Sequence, residues 1–308
     1  MRIVVLNGSP KGPQSVTMQY VQYIEKRFPR HRFTYIDISE KIQRLEKNEQ
    51  TFNEVIEVIK DADGILWAFP IFYFLVPSQY KRFIELIRER DVAEAFRDKY
   101  TAVLTTSIHI LDMMAHHYLN GICDDLHMKY TGSFSASMYD LLKKEQRKQL
   151  FLFAKYFLLS IRKKSPAPRN YAPVGEQAYE YRPSLVKDLL PTRDKKILII
   201  SDAKPDQQNL NWMITRLQDS FFGYTEVINL NYLDIKGGCL GCLQCAHSNV
   251  CVYEGKDKFV DFFNEKVRPA DVLIFAGTVK DRFLSSRWKC FFDRTFFNTH
   301  IPSMTGKQ

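Results

Sequence analysis

Unbroken apolar runs alternate with helix-spaced apolar faces through the first half of the chain. Ile3, Val4, Val5 and Leu6 form the first run, and Asn7, Gly8, Ser9 and Pro10 stop it. A run without polar interruption fits a strand covered on both faces. Val16, Tyr20, Ile24 and Phe28 then recur at helical spacing, which predicts a helix over Ser15–Arg27. Phe33–Ile38 reads as a strand, and Phe52, Val55, Ile56 and Ile59 share one face of a helix over Glu49–Asp61. Gly64–Phe69 and Tyr100–Thr105 are further apolar strands. Pro70–Ser78 reads as a loop, Gln79–Arg90 and Ile110–Leu126 as helices, and Lys129–Ser135 leads into a fifth strand. Strands alternating with helices in this way predict an α/β fold with an open, doubly wound parallel sheet.

A basic helix follows over Lys143–Lys164, with Leu150, Phe151, Phe153, Phe157, Leu158 and Ile161 on its apolar face. Packing against the first sheet is the expected fate of that face, and lying on a membrane is the alternative. Five prolines between 165 and 191 mark an extended linker, and Tyr171, Tyr179 and Tyr181 suit a segment lying along a surface. The expected organisation is a first domain over 1–164, a linker over 165–194 and a second module over 195–308.

The second module repeats the pattern of the first. Lys195–Lys204 parallels the opening strand and loop, Tyr224–Leu230 parallels Phe33–Ile38, Arg268–Phe275 parallels Lys60–Trp67, and Leu284–Phe292 parallels Val76–Ile84. The parallel stops at Thr305–Gln308, opposite Arg97–Tyr100 and before the fourth strand. The second module is therefore expected to lack two strands, so that the chain is a fragment or another chain completes the sheet.

Composition adds bounds to this pattern. The 308 residues carry a formal net charge of +9 without an Arg/Lys-rich block, which fits anionic ligands better than nucleic acid. The chain enters its first strand directly, with no secretory leader and no apolar run of spanning length, so a cytoplasmic protein is expected. Four of the six cysteines lie between positions 239 and 251, which in a reducing compartment points to metal, cluster or redox chemistry.

Candidate chemistry sits in four loops. Ser9, Lys11, Ser15, Val16 and Thr17 occupy the first strand–helix junction, where hydroxyls, amides and the helix N-terminus suit a phosphate; Ser15 also suits a plain N-cap. Pro70, Ile71, Phe72, Tyr73 and Phe74 follow the third strand. Thr105, Thr106, Ser107 and His109 follow the fourth, with His116 and His117 reading as packing residues of the next helix. Cys239, Cys242, Cys245 and Cys251 form a CxxCxxCx5C loop among Gly237, Gly238 and Gly241; four thiolates so placed suit an iron–sulfur cluster, zinc, or structural or redox thiols. Cys123 and Cys290 read as packing residues.

The first loop resembles that of the NADPH-dependent FMN reductase branch of the flavodoxin-like superfamily. The family pattern GSPRxxSNT appears here as Gly8–Thr17, with Lys11 for the usual Arg and Val16 for the usual Asn. The family's P-x-Y loop, followed by a second proline, appears as Pro70–Pro77 with the aromatic doubled as Phe72-Tyr73. The resemblance implies that Ser9–Thr17 hold an FMN phosphate, that Pro70–Phe74 line the isoalloxazine, and that Thr105–His109 approach its far edge. The cysteine spacing resembles iron–sulfur flavoproteins, which implies a [4Fe–4S] cluster. In the second module Asp202 and Asp206 stand where a phosphate would sit, and Gly277-Thr278-Val279 replaces P-x-Y. The resemblance therefore implies a flavodoxin-like first domain and a second, degenerate and C-terminally incomplete flavodoxin-like module without FMN of its own.

The implied activity is an FMN-dependent oxidoreductase with NAD(P)H as co-substrate, passing electrons to a quinone, flavin, nitro compound or redox protein. Thr106 or His109 would stabilise the reduced ring, and no side-chain acid or base is singled out. A homo-oligomer is implied, with no nucleic-acid or membrane partner. Two alternatives stand beside it: an iron–sulfur flavoprotein electron carrier that binds no nicotinamide, and a flavin-free assembly module.

Overall fold

The computed structural model describes residues 1–175 and 179–299. They fall into two compact units, Met1–Val174 with Asp281–Phe283, and Gly175–Lys280 with Leu284–Gln308.

Unit 1 runs β1 (Arg2–Asn7), α1 (Val16–Arg27), β2 (Arg32–Asp37), α2 (Ile38–Lys47), α3 (Glu49–Lys60), β3 (Gly64–Pro70), α4 (Ser78–Glu89), β4 (Tyr100–Thr106), α5 (Asp112–Asp125), β5 (Lys129–Ala136) and α6 (Lys144–Lys163). The strands form one parallel sheet in the order β2-β1-β3-β4-β5. That is the flavodoxin-like order, which reverses direction between β1 and β3 and opens a crevice beyond the carboxyl ends of the strands.

The sheet is apolar on both faces because helices cover both. Val4, Leu6, Trp67, Phe69 and Val103 face α2 to α5 in one buried cluster. Ile3, Val5, Leu66, Ala68 and Leu104 face α1 and α6 in the other. Alternation along each strand sends neighbours to opposite layers. Each fully buried Ile, Leu or Phe contributes about 1.5–3 kcal/mol. The basic α6 buries Leu150, Ala154, Phe157 and Leu158 against this sheet, the fate expected of its apolar face. Among the described residues no helix is long and apolar enough to cross a membrane.

In unit 1 the structure adds one helix that the sequence pattern does not predict. Ile38, expected to end a strand, opens α2, whose Ile38, Ile42 and Leu45 are buried in the first cluster. The chain passes from β2 to α2 without a glycine or proline, so no punctuation separates the two periods.

The Pro-rich segment starts along unit 1, where the Asp124 carboxylate accepts the backbone N–H groups of Asn170 and Tyr171, both at 2.8 Å. In unit 2 a short strand β6 (Leu190–Pro191) leads to β7 (Ile197–Ser201), α7 (Gln208–Gln218), β8 (Phe221–Phe222) and β9 (Thr225–Asn229). After the cysteine loop come α8 (Phe259–Phe262), a π-helical turn over Phe263–Val267, β10 (Val272–Ala276) and α9 (Ser286–Thr295). Strands β10-β7-β9 form a three-stranded parallel sheet with the first strand central, the same order and sense as β3-β1-β2 of unit 1. Its core is largely aromatic, built on Phe259, Phe263, Trp288, Phe291 and Phe297. Among the described residues no strand pairs with the free edge of β10. The stretch Thr305–Gln308, where the sequence parallel stops, lies outside them.

Candidate active site

Three loops of unit 1 meet at the carboxyl ends of β1, β3 and β4, and their backbones are tied together. The Gly8 N–H donates to the Ala68 carbonyl at 2.7 Å, the Ile71 N–H to Thr106 at 2.9 Å, and the Ser107 N–H to Ala136 at 2.9 Å. Gly8 has no room for a side chain: a Cβ there would lie 2.7 Å from Phe69 Cβ and 2.8 Å from Tyr80 Cγ.

The first loop orders itself through its polar groups. Asn7 is fully buried; its amide donates to Asp37 Oδ1 at 2.8 Å, and its Oδ1 accepts the Ser9 N–H at 3.0 Å. Ser9 Oγ accepts the Lys11 N–H at 3.2 Å. Ser15 is the N-cap of α1, with Oγ accepting the Met18 N–H at 3.3 Å. No acidic residue occupies the first turn of α1, so its positive end is not neutralised from within. Thr17 faces inward and shares a 2.6 Å hydrogen bond with Thr106 of β4, while Val16 is half-buried and Lys11 is exposed.

The second and third loops hold non-glycine residues in the left-handed region: Tyr73 (φ 41°), Phe74 (φ 64°), His109 (φ 60°) and Leu111 (φ 54°). Such residues cost about 1–3 kcal/mol each and concentrate at binding sites. Phe72 and Leu75 close the second loop with reciprocal backbone bonds of 2.9 and 3.0 Å, which turns Tyr73 and Phe74 out at its tip.

The third loop ends in a polar cluster. Asp112 Oδ2 accepts from Ser107 Oγ at 2.7 Å, from His109 Nδ1 at 3.1 Å and from Ser135 Oγ. Burial pushes the Asp112 carboxyl up, but the bonds from Ser135, Ser107 and His109 outweigh it and hold it below the usual range. His109 Nε2 lies 3.6 Å from Asp140 Oδ2, so both ring nitrogens face a carboxylate. Thr105 stands apart: its hydroxyl is fully buried and meets His116 Nε2 at 2.8 Å, toward α5. Burial lowers the pKa of His116. His117 meets Tyr171 through Nδ1.

Asp112, Ser135 and Asp140 were not singled out from sequence. Asp112 has a local signal, a carboxylate five residues after Ser107 at a helix start. Ser135 and Asp140 come from β5 and the turn after it, and only the sheet order brings them to His109.

Residues 1–140 match the family model of NADPH-dependent FMN reductase. The match covers 140 of the chain's 308 residues, all of them in unit 1. Three solved structures are similar to the chain in fold. An NADH:FMN oxidoreductase in its apo form is 20% identical over 52% of this chain and 89% of its own, with a TM-score of 0.44. General stress protein 14 of Treponema denticola, solved with FMN, is 13% identical over 53% and 98%, with a TM-score of 0.39. An FMN-dependent NADH-azoreductase of Bacillus anthracis, solved with FMN, is 14% identical over 53% and 99%, with a TM-score of 0.38. No curated protein matches the chain.

The loops of unit 1 suit FMN, the cofactor of the matching family. A helix N-terminus capped by Ser15, with no acidic residue in its first turn and Lys11 in the loop before it, suits a phosphate. Two loops with outward aromatic and amide groups, at the strand ends where the sheet order reverses, suit a flat ring with a polar edge.

In unit 2, Cys239, Cys242, Cys245 and Cys251 line one cleft together with Tyr253, Arg294 and Phe297. Burial pushes the Cys239 thiol up to about 12, against a partly offsetting Gly241 N–H at 3.4 Å. Cys242 is exposed and Cys245 buried. Among the described residues no group of three or more His, Cys, Asp or Glu is placed to hold a single metal ion. Zinc would need its donors gathered at about 2.0–2.3 Å from one point. Cys123 and Cys290 are buried within their units. Asp202 is buried and accepts a hydrogen bond from Ser285, the N-cap of α9. A carboxylate held inside the fold at a helix N-terminus fills that positive end without a ligand.

Proposed function

We propose that the chain is an FMN-dependent NAD(P)H oxidoreductase whose cofactor lies in unit 1 and whose acceptor is a quinone, free flavin, nitro compound or redox protein. The observation that carries this reading is the lacing of three loops, Gly8–Thr17, Pro70–Phe74 and Thr106–His109, across the reversal of the sheet. Ser9, Ser15, Thr17 and Lys11 with the start of α1 would hold the phosphate. Pro70, Ile71, Phe72, Tyr73 and Phe74 would wall the ring, and Thr106, Ser107 and His109 would face its polar edge. FMN supplies hydride acceptance and release. The chain's part is to orient the ring, keep water off one face and place positive dipole and imidazole near the charge of the reduced state.

His109 serves this role because Asp112 and Asp140 face both of its ring nitrogens, at 3.1 and 3.6 Å, and fix the ring's orientation. Thr105 enters as a support through His116 and β4. The cysteine loop supports a second redox group. Four thiols lining one cleft supply the ligand set of an iron–sulfur cluster, which spreads its thiolates over several irons. An exposed apolar rim of Ile108, Met113, Met138, Tyr139 and Leu142 beside the site supports a homo-oligomer.

Anaerobic stopped-flow mixing of the FMN-loaded chain with NADH and NADPH tests the reading. Bleaching of the flavin band, followed by reoxidation with a quinone, is the expected outcome. A flavin that stays oxidised with both nucleotides favours the electron-carrier alternative.

A further inference from the structure

We infer that Arg294 is the fixed positive charge of the four-thiol cleft and that its Nε–H donates to a thiolate of the iron–sulfur cluster held there. The inference rests on the cluster reading above. Arg294 is at the end of α9 and is 1% exposed. Its Nη1 donates to Asp257 Oδ2 at 2.7 Å and to the Gly237 carbonyl at 3.0 Å, and its Nη2 donates to Asp257 Oδ1 at 3.0 Å. The guanidinium also lies over the rings of Tyr253 at 4.2 Å and Phe259 at 4.8 Å. These contacts fix its plane and engage its far edge.

The Nε–H is left over: it is buried and has no hydrogen-bond partner among the described residues. An orphaned donor costs about 1–3 kcal/mol, more on a charged group, so a fold keeps one where something else accepts from it. Arg294 lines the same cleft as the four cysteines and is the only charged side chain among the described residues that do so. The side-chain acceptors lining that cleft are the four cysteine sulfurs and the Tyr253 hydroxyl. As thiols the sulfurs are weak acceptors; as metal-bound thiolates they are anionic and accept well. Four thiolates bring four negative charges into a pocket walled by Tyr253, Phe296 and Phe297. Asp257 balances Arg294 on the other side, and its charge is in turn spread over the N–H groups of Lys236 and Phe259 at 3.1 and 3.2 Å.

Reduction of the cluster adds one electron and no proton, so a nearby cation favours the reduced form and raises the potential. Arg294 is thus a positioning residue that tunes the group, distinct from its ligands.

The test uses the full chain, purified without oxygen and reconstituted with ferrous iron and sulfide. Iron and sulfide content, the rate of iron loss to a ferrous chelator and the midpoint potential in a dye-mediated titration are compared for wild type, Arg294→Lys, Arg294→Gln and Arg294→Gln with Asp257→Asn. The double variant avoids leaving Asp257 charged and unpaired. The expected result is a more negative potential and about tenfold faster iron loss in both glutamine variants. Arg294→Lys, which keeps the charge, holds its potential near wild type. Glutamine variants that bind iron with wild-type potential and retention overturn the inference while leaving the cluster in place. A wild-type chain that takes up no iron and sulfide overturns the cluster reading beneath it. Should Arg294→Gln not fold, the double variant and Arg294→Lys decide the matter by the same readouts.

Discussion

Thr17 and Thr106 share a 2.6 Å hydrogen bond between side chains 89 residues apart in sequence. Thr17 lies in the first turn of α1 and Thr106 ends β4, so the bond clasps the first candidate loop to the third. Both residues are buried. Thr17→Val leaves the Thr106 hydroxyl buried without its partner, which costs about 1–3 kcal/mol. The expected outcome is a lower urea midpoint and faster FMN release. Adding Thr106→Val removes the orphaned group and should recover part of the stability but not the release rate. Denaturation and FMN fluorescence read the two effects separately.

Gly8→Ala tests the close approach of the first loop to β3. Its Cβ would press on Phe69 and on the ring of Tyr80, whose hydroxyl is already tied to the Leu6 carbonyl at 2.8 Å. Neither neighbour is a free chain end, so the loop must shift. We expect a loss of about 1–3 kcal/mol in chemical denaturation together with weaker FMN binding.

Asp140 sets a pH dependence. Burial raises its carboxyl, but the Ser137 N–H, the Lys143 ammonium and the Ser137 hydroxyl outweigh that and bring it down to about 2. An unfolded Asp titrates near about 3.9. Asp140 therefore contributes stability that is present above about pH 4 and is lost as pH falls toward about 2. Asp140→Asn should flatten the fall in urea midpoint over that window relative to wild type. Parallel curves for the two proteins would remove Asp140 from the account.

Lys11→Glu reverses the one exposed charge on the first loop. It touches no core residue, so the thermal midpoint should stay within about 1 °C, the scale of a neutral surface change. FMN affinity should fall about tenfold or more, because a carboxylate now meets the phosphate. Unchanged affinity would take Lys11 out of the phosphate site.

The strands of unit 1 were legible because β1, β3 and β4 are buried on both faces and so read as unbroken apolar runs. The helices α1, α3 and α4 were legible from their spacing. Helix α2 was not, because Ile38 serves equally as the end of a strand and the start of a helix, and the chain gives no break there. Within the site, the position of the loops was legible, since strand ends in such a sheet lie together. The pairings inside it were not. His109 with Asp140 and Thr17 with Thr106 depend on which strands neighbour each other, and Thr105 was grouped with the cofactor loop although its hydroxyl turns to His116. The burial of Arg294 against Asp257 likewise follows from α9 packing on the cysteine loop, a contact that no local pattern announces.

The most direct test of the central claim is the FMN content of the purified full chain, released by heat and quantified against protein after equilibration with FMN. The account predicts about one FMN per chain, held by unit 1 alone because the loop after β7 carries the carboxylates Asp202 and Asp206 where unit 1 has its phosphate loop. A chain that retains no FMN contradicts the account.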